Sequence, residues 1–262
     1  MRTVIDIRDL SFGAGSNRIL DKVSLHVQEG EYLGIVGPNG AGKTTLLKCL
    51  MRIITGAKGS VEIFGHPIKT YSQRSLARLV SYVPQADGRA LQYSVHEFVA
   101  MGRYPHLGPF SSMSDEDLRA IEEALNFVGI SALSERKLET LSGGERQSVF
   151  IAGALAQGAK ILLLDEPTTF LDPKHQAKIH ALLTRLNRSL GLTVVAVTHD
   201  LNAAAMWMDR VIAIKNGKVA FTGIGRELMH GETLEKIFCT RFVFASHPVT
   251  GFPCVVPGGE PS

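Results

Sequence analysis

Gly37-Pro38-Asn39-Gly40-Ala41-Gly42-Lys43-Thr44 decides how this chain is read. It fits G-x-x-x-x-G-K-[ST], and its flanks are those the pattern requires. Before it, Tyr32-Leu33-Gly34-Ile35-Val36 is an apolar run that predicts a buried strand. After it, Thr45, Leu46, Leu47 and Leu50 open an apolar helix. Glycines let backbone amides close around phosphate oxygens, and the helix start adds its dipole. Lys43 is then expected at the β- and γ-phosphates, and the Thr44 hydroxyl on Mg²⁺.

The next chemistry lies at strand ends. Ile161-Leu162-Leu163-Leu164 carries no polar residue, as a strand buried on both faces does, and it ends in Asp165-Glu166. A carboxylate there sits in the crevice where open α/β sheets bind ligands. Asp165 is a candidate for holding Mg²⁺, and Glu166 for polarising a water that attacks the γ-phosphate. Thr193–Val197 is a strand of the same type and ends in Thr198-His199-Asp200. His199 is expected at the same sheet edge as Asp165, in hydrogen-bond reach of the γ-phosphate or the water. Between the two strands, Pro173 suits a first helical position, and Ile179, Leu182, Leu183 and Leu186 give a core stripe. Strand, helix, strand predicts a parallel sheet.

Leu141-Ser142-Gly143-Gly144-Glu145-Arg146-Gln147 precedes another apolar helix (Val149, Phe150, Ile151, Ala154, Leu155). A serine before two glycines at a helix start makes a second anion cradle of hydroxyl, amides and dipole. One nucleotide needs only one cradle, so the second requires an explanation.

Further strands are expected at Val4–Leu10, Ile19–Val27, Val61–Phe64 and Leu79–Val83. A helix from Asp115 is capped by Ser114 with Asp117, carries Leu118, Ile121, Leu125 and Val128 on one face, and ends at Gly129. Asn216-Gly217 predicts a hairpin. Met206-Trp207-Met208 is read as core on a helix. The whole is an α/β core interrupted near residues 91–155 by a mainly helical insert, with an antiparallel part at each end.

Composition sets the outer limits. At roughly 150 residues per domain, 262 residues suit one domain or a core with a smaller inserted subdomain. A 45% apolar, 20% charged chain is ordinary globular material. A net charge of +3 gives no case for a nucleic-acid partner. Cys49, Cys239 and Cys254 fit no metal or redox spacing and are read as reduced structural thiols. His175 and His180 lack the spacing of a helical metal pair, so Mg²⁺ brought by ATP is the only metal expected. No apolar run approaches the roughly 18 residues of a membrane span, and Met1–Asp6 has no apolar targeting stretch. A cytoplasmic chain is expected.

Taken in order, these motifs resemble the ATP-binding-cassette (ABC) ATPases. Gly37–Thr44 is similar to their Walker A motif, Ile161–Glu166 to Walker B, Leu141–Gln147 to the signature motif and His199 to the switch histidine. Gln85, after Val83-Pro84, resembles the Q-loop glutamine, and Leu171-Asp172 the core of the D-loop. Phe12 sits where an aromatic stacks on adenine, in what reads as a short loop flanked by Gly13 and Gly15.

The resemblance implies a P-loop NTPase (RecA-like) core with an N-terminal antiparallel β-subdomain and an inserted α-helical subdomain. The core would take residues 1–90 and 156–262, and the signature subdomain 91–155. The resemblance also implies a head-to-tail homodimer. ATP on Gly37–Thr45 of one subunit would be covered by Ser142, Gly143 and Gly144 of the other, which accounts for the second cradle. Thr44, Gln85 and Asp165 would order Mg²⁺; Glu166, Gln85 and His199 would serve hydrolysis; Asp172 would lie at the nucleotide interface.

A narrower likeness rests on Gly102-Arg103-Tyr104-Pro105-His106-Leu107-Gly108, Ala154–Gln157, Thr168–Asp172 and the tail His247–Pro253. These are similar to the importers of iron–siderophores, haem and cobalamin. They imply a peripheral ATPase subunit on the cytoplasmic face of the inner membrane. It would be bound to an integral-membrane permease through the Q-loop and helical insert, and through the permease to a substrate-binding protein. Glu97–Arg103 is expected to face the permease. The alternative is a soluble cassette ATPase on a scaffold, as in iron–sulfur cluster assembly. A DNA-repair or chromosome ATPase would need a long coiled coil, and no heptad run fits between Gln85 and Leu141. Ser148 and Gly153 stand where the family often has arginine, and Thr169 where the D-loop more usually has serine.

Overall fold

The computed structural model describes residues 2–15, 17–85, 92–108 and 110–256. In chain order, β1 (Thr3–Ala14), β2 (Asn17–Gln28) and β3 (Tyr32–Val36) lead to α1 (Lys43–Leu50). Then come β4 (Lys58–Ile63), β5 (His66–Pro67), α2 (Gln73–Ala77) and β6 (Val80–Val83). Helices α3 (Val95–Met101), α4 (Asp115–Val128) and α5 (Gly143–Ala156) precede β7 (Ile161–Asp165), α6 (Pro173–Leu190) and β8 (Thr193–Val197). The last elements are α7 (Leu201–Trp207), β9 (Arg210–Lys215), β10 (Lys218–Gly223), α8 (Gly225–Leu228), α9 (Gly231–Phe238), β11 (Val243–Ser246) and β12 (Pro253–Val256). Two compact units result: Met1–Ile68 with Val195–Ser262, and Lys69–Val194.

In the first unit an antiparallel sheet runs in the order β2-β1-β4-β5. Alternation builds it: Leu20, Val23, Leu25 and Val27 of β2 are buried while the residues between them are more exposed. Strand β1 runs beyond the expected Leu10. Phe12, Gly13 and Ala14 continue pairing with Leu20, Arg18 and Asn17, so Phe12 lies in a strand and not in a loop. Its two flanking glycines read as breakers, but cross-strand pairing outweighs them. Beside this sheet, β3 is buried throughout and pairs in parallel with β9, which pairs antiparallel with β10. Asn216 and Gly217 both take positive φ (49° and 74°), as the hairpin requires.

Helix α7 buries Leu201 and Ala203–Ala205; Met208 just beyond it is also buried, whereas Met206 and Trp207 lie on the outer side. The expectation of a core Met-Trp-Met run therefore holds for Met208 alone. The hairpin β11–β12 is fastened to α7 through Asn202. Asn202 Nδ2 donates to Val255 O at 3.0 Å, and Val255 N donates to Asn202 Oδ1 at 2.8 Å.

The second unit holds the parallel pair β6–β7 and a helical core in which Val95, Val99, Ile121, Leu125, Val149 and Ala152 meet. Helix α4 starts at the expected capping box and ends at Gly129 in the left-handed region. Its buried face differs from the apolar count. Leu118 is exposed, and Asp117 turns inward to pair with Arg103 Nε at 2.8 Å, both side chains under a tenth exposed. Arg103 also donates to Ala156 O at 2.8 Å. Val99, Ala100 and Arg103 of the segment Glu97–Arg103 are thus committed to the core, whereas the Glu97 side chain is exposed and so is that of Tyr104, one residue past the segment. Helices α3 and α5 approach closely at two glycines. A Cβ on Gly102 would lie 2.3 Å from Gly153 O, and one on Gly153 would lie 3.3 Å from the Phe98 ring. An arginine at 153 would have to displace that ring.

Candidate functional site

In the first unit the loop between β3 and α1 is built by what surrounds it. A Cβ on Gly37 would sit 2.0 Å from Ile214 O, and one on Gly42 would sit 2.8 Å from both Ile19 O and the Leu20 side chain. With φ of 143° and 103°, both positions require glycine twice over. Gly40 (φ 74°) has no heavy atom within 4 Å of where a Cβ would stand, so Asn39 and Gly40 form the open lip of the loop. Gly217 N donates to Ala41 O at 3.2 Å, so the β9–β10 turn braces the far side. Pro38, Thr44 and Thr45 are half-buried.

Lys43 is buried at 6% exposure, and its ammonium donates to Gly37 O at 2.8 Å and Pro38 O at 2.9 Å. Two loop carbonyls thus occupy donors that phosphate oxygens would take. The first turn of α1 carries no acid, so its dipole is not neutralised from within. Phe12 is half-buried and lines a pocket of about 350 Å³ with Arg18, Leu20 and Lys58. Leu20 also reaches Gly42, which puts the aromatic next to the loop. His199 is exposed between β8 and α7, and Asp200 beside it caps α7 by accepting from Ala203 N at 2.8 Å.

In the second unit β7 delivers Asp165, only 2% exposed, and then Glu166 in the left-handed region (φ 51°). That backbone is uncommon for a residue with a Cβ, and such outliers gather at functional sites. Gln85 Nε2 donates to Glu166 Oε2 at 2.9 Å, and the Thr169 hydroxyl donates to the same oxygen at 3.0 Å. Tyr82 OH donates to Asp165 Oδ2 at 3.2 Å; burial, with the Asp165 charge added, pushes that phenol well above its usual range. Sequence reasoning missed both hydroxyls. Thr169 carried a weak signal, three residues after Glu166, where a short hydroxyl folds back on its own turn.

Ser142 is the N-cap of α5, in a reciprocal box with Glu145. Ser142 N and Oγ donate to Glu145 Oε2 at 2.9 and 2.8 Å. The bond from the Ser142 amide, more than any other cause, holds the Glu145 carboxyl below its ordinary value. Asp172 caps α6, accepting from His175 N at 2.9 Å, with its other oxygen 2.6 Å from His175 Nδ1. The backbone bond from His175 leads in lowering the Asp172 carboxyl. The His175 ring lies against Gly144, where a Cβ would be 2.0 Å from it, and Leu171 reaches Gly143. Within this unit the structure brings Gln85 to Glu166, and Asp172 through His175 to Ser142–Gly144.

A family model described as "ABC transporter" matches residues 20–169, more than half of the chain. The chain belongs to the ABC transporter family.

Among ABC proteins it is 40% identical to the ferric enterobactin transport ATP-binding protein FepC of Escherichia coli (strain K12), over 96% of this chain and 93% of that one. Solved ABC structures share the fold. A chain from an ABC transporter in an inward-facing conformation superposes with a TM-score of 0.86 at 28% identity, covering 99% of both chains. The dimeric bacterial ABC transporter cassette MJ0796 gives 0.73 at 30% identity, over 85% of this chain and 99% of that one. As a member of this family the chain is an ATP-binding and ATP-hydrolysing cassette with the P-loop fold. Among the described residues no helix is long and apolar enough to cross a membrane.

Proposed function

We propose that this chain is the ATP-hydrolysing subunit of an importer that brings a ferric siderophore, haem or cobalamin through a separate membrane permease. The observation that carries the reading is the bond from Gln85 to Glu166. In this family the segment bearing the Q-loop glutamine lies against the permease, so the contact joins a transport-sensing segment to the carboxylate that polarises water. The likeness to a ferric enterobactin transport protein favours an iron chelate as cargo.

In this reading Lys43 and the amides of Gly40, Ala41, Gly42, Lys43, Thr44 and Thr45 hold the β- and γ-phosphates, with Gly37, Pro38 and Asn39 shaping the loop. Phe12 stacks on the adenine. Thr44, Gln85 and Asp165 offer hydroxyl, amide and carboxylate oxygens, the hard donors that suit Mg²⁺. The ion would supply charge neutralisation between the phosphates. Glu166 draws a proton from the attacking water, and Gln85 and Thr169 keep its carboxylate in one orientation. His199 contacts the γ-phosphate. The second cradle acts in trans: the partner subunit's Ser142, Gly143 and Gly144 cover the nucleotide, with Asp172 at the same interface. Residues 1–90 and 156–262 form the nucleotide-binding core and 91–155 the signature arm. A substrate-binding protein delivers cargo to the permease, and the ATPase stays at the cytoplasmic face of the inner membrane as a peripheral subunit.

The test is a tagged pull-down from detergent-solubilised native membranes. A polytopic permease recovered in about equal amount supports the importer, and the binding protein encoded or captured with it names the cargo. Recovery of soluble proteins alone, with the chain in the cytosolic fraction, overturns it in favour of a scaffold ATPase.

A further inference from the structure

Among the described residues three helices start with the same device, a serine cap returned by an acid three residues on: Ser94 with Glu97, Ser114 with Asp117, and Ser142 with Glu145. At α3 and α4 the box is a helix-start stabiliser. At α5 it stands in the cradle that the dimer reading assigns to the γ-phosphate of the partner's ATP. There Glu145 Oε2 already takes the Ser142 amide and hydroxyl, and Glu145 N donates back to Ser142 Oγ at 3.3 Å. The donors meant for an incoming phosphate are satisfied by an anion of the same chain.

We propose that Glu145 sets how tightly the ATP-bound dimer closes, because its carboxylate is a built-in competitor that the γ-phosphate must displace from Ser142. The inference rests on the trans arrangement proposed above. Displacement does not carry the charge away. Glu145 is fixed in the first turn of α5, one residue past Gly144, whose far side is blocked by the His175 ring. The carboxylate therefore remains beside the phosphate as a like charge. Glutamine in its place keeps the box, since its carbonyl oxygen accepts the same two bonds, but it brings no charge. This chain thus trades tight closure for an easily reopened interface.

The experiment uses the full chain in a Glu166→Gln background, which on the proposed mechanism keeps ATP binding and slows its turnover. Dimer formation is followed by sedimentation across an ATP–Mg²⁺ titration, at low and high NaCl. Adding Glu145→Gln should lower the ATP concentration for half-dimerisation roughly tenfold, the order expected from relieving one like-charge contact at an interface. The shift should shrink in high salt, and the nucleotide-free melting curve should fall slightly, because the cap loses a charge at the helix start, so the gain in dimer runs opposite to the change in fold stability. Glu145→Ala should also favour the dimer although it loses the cap and melts lower, which separates charge from helix stability. In the turnover-competent protein, Glu145→Gln should lower KM for ATP without raising kcat. A parent that dimerises with ATP while both double variants close no more readily overturns the role of Glu145 alone. A parent that stays monomeric with ATP overturns the dimer reading and the role of Glu145 with it.

Discussion

Gln85 and Glu166, eighty-one positions apart in sequence, are joined by a 2.9 Å hydrogen bond from amide to carboxylate. The same Glu166 oxygen also accepts from Thr169, so the carboxylate is aimed by two neighbours on different segments. A group held in one orientation suits proton transfer better than one that samples many.

Glu166→Gln should keep ATP binding and lower steady-state phosphate release by about 10²- to 10⁴-fold, the usual worth of a positioned general base. Thr169→Val should give a smaller fall, in kcat and not in KM, and Thr169→Ser should restore most of it. Steady-state phosphate release across an ATP titration measures all three. Unchanged turnover in the glutamine variant would remove Glu166 from its assigned role.

Mixing Lys43→Ala with Ser142→Ala chains tests the trans arrangement. Each parent dimer has two damaged sites, but a mixed dimer has one site with both defects and one with neither. ATPase activity above that of both parents is the expected outcome. A mixture that gains nothing, with mixed dimers verified by two tags, counts against it.

The Arg103–Asp117 pair should be a stability determinant of the helical core. Removing one partner of a buried pair costs about 3–5 kcal/mol, so Arg103→Ala should lower the melting temperature sharply, while Arg103→Met with Asp117→Leu should recover most of it. The pair also predicts a pH dependence. The Ser114 amide and hydroxyl, then Arg103, hold the Asp117 carboxyl at about 2. A carboxyl depressed on folding adds stability that is complete above its unfolded value near pH 4 and is lost as pH falls through the folded value. The stability gap between wild type and Asp117→Asn should be flat above pH 5 and close between about pH 4 and pH 2.

Gly144→Ala should destabilise the start of α5 by about 1–3 kcal/mol, because the new methyl meets the His175 ring. His175→Ala should relieve much of that loss. A double-mutant cycle from melting curves reads the coupling, and additivity of the two changes would show that the ring does not block this position.

The sequence was most informative where the signal is local. The loop at Gly37–Thr44, the strand ending in Asp165-Glu166, the caps Ser114 and Ser142 and the Asn216-Gly217 turn are each written in a few adjacent residues, and each forms where expected. What escaped depends on partners brought together by folding. Asp117 displaces Leu118 from the buried face of α4 because Arg103, fourteen residues away, supplies a buried counter-charge that an apolar count does not see. Tyr82 and Asp165 are eighty-three positions apart. Phe12 was read into a loop from its two glycines, but the pairing of β1 with β2 carries the strand past it. The C-terminal hairpin gave no alternation to read, and it is fastened to α7 by the side chain of Asn202.

Gly37 has a bearing on genetics. A Cβ there would fall 2.0 Å from Ile214 O, so the missing side chain is dictated by the packing of the loop against β9. Lys43, on the same loop, donates inward to two carbonyls whose place a ligand can take. A screen that scores growth on a scarce nutrient would return changes at both codons as equal nulls. Immunoblots would part them: alleles of the glycine should deplete the polypeptide from the cell, whereas alleles of the lysine should leave normal amounts of an inert one. The inert class would then be expected to poison assemblies it joins, and so to be dominant over a wild-type copy, while the depleted class would be recessive.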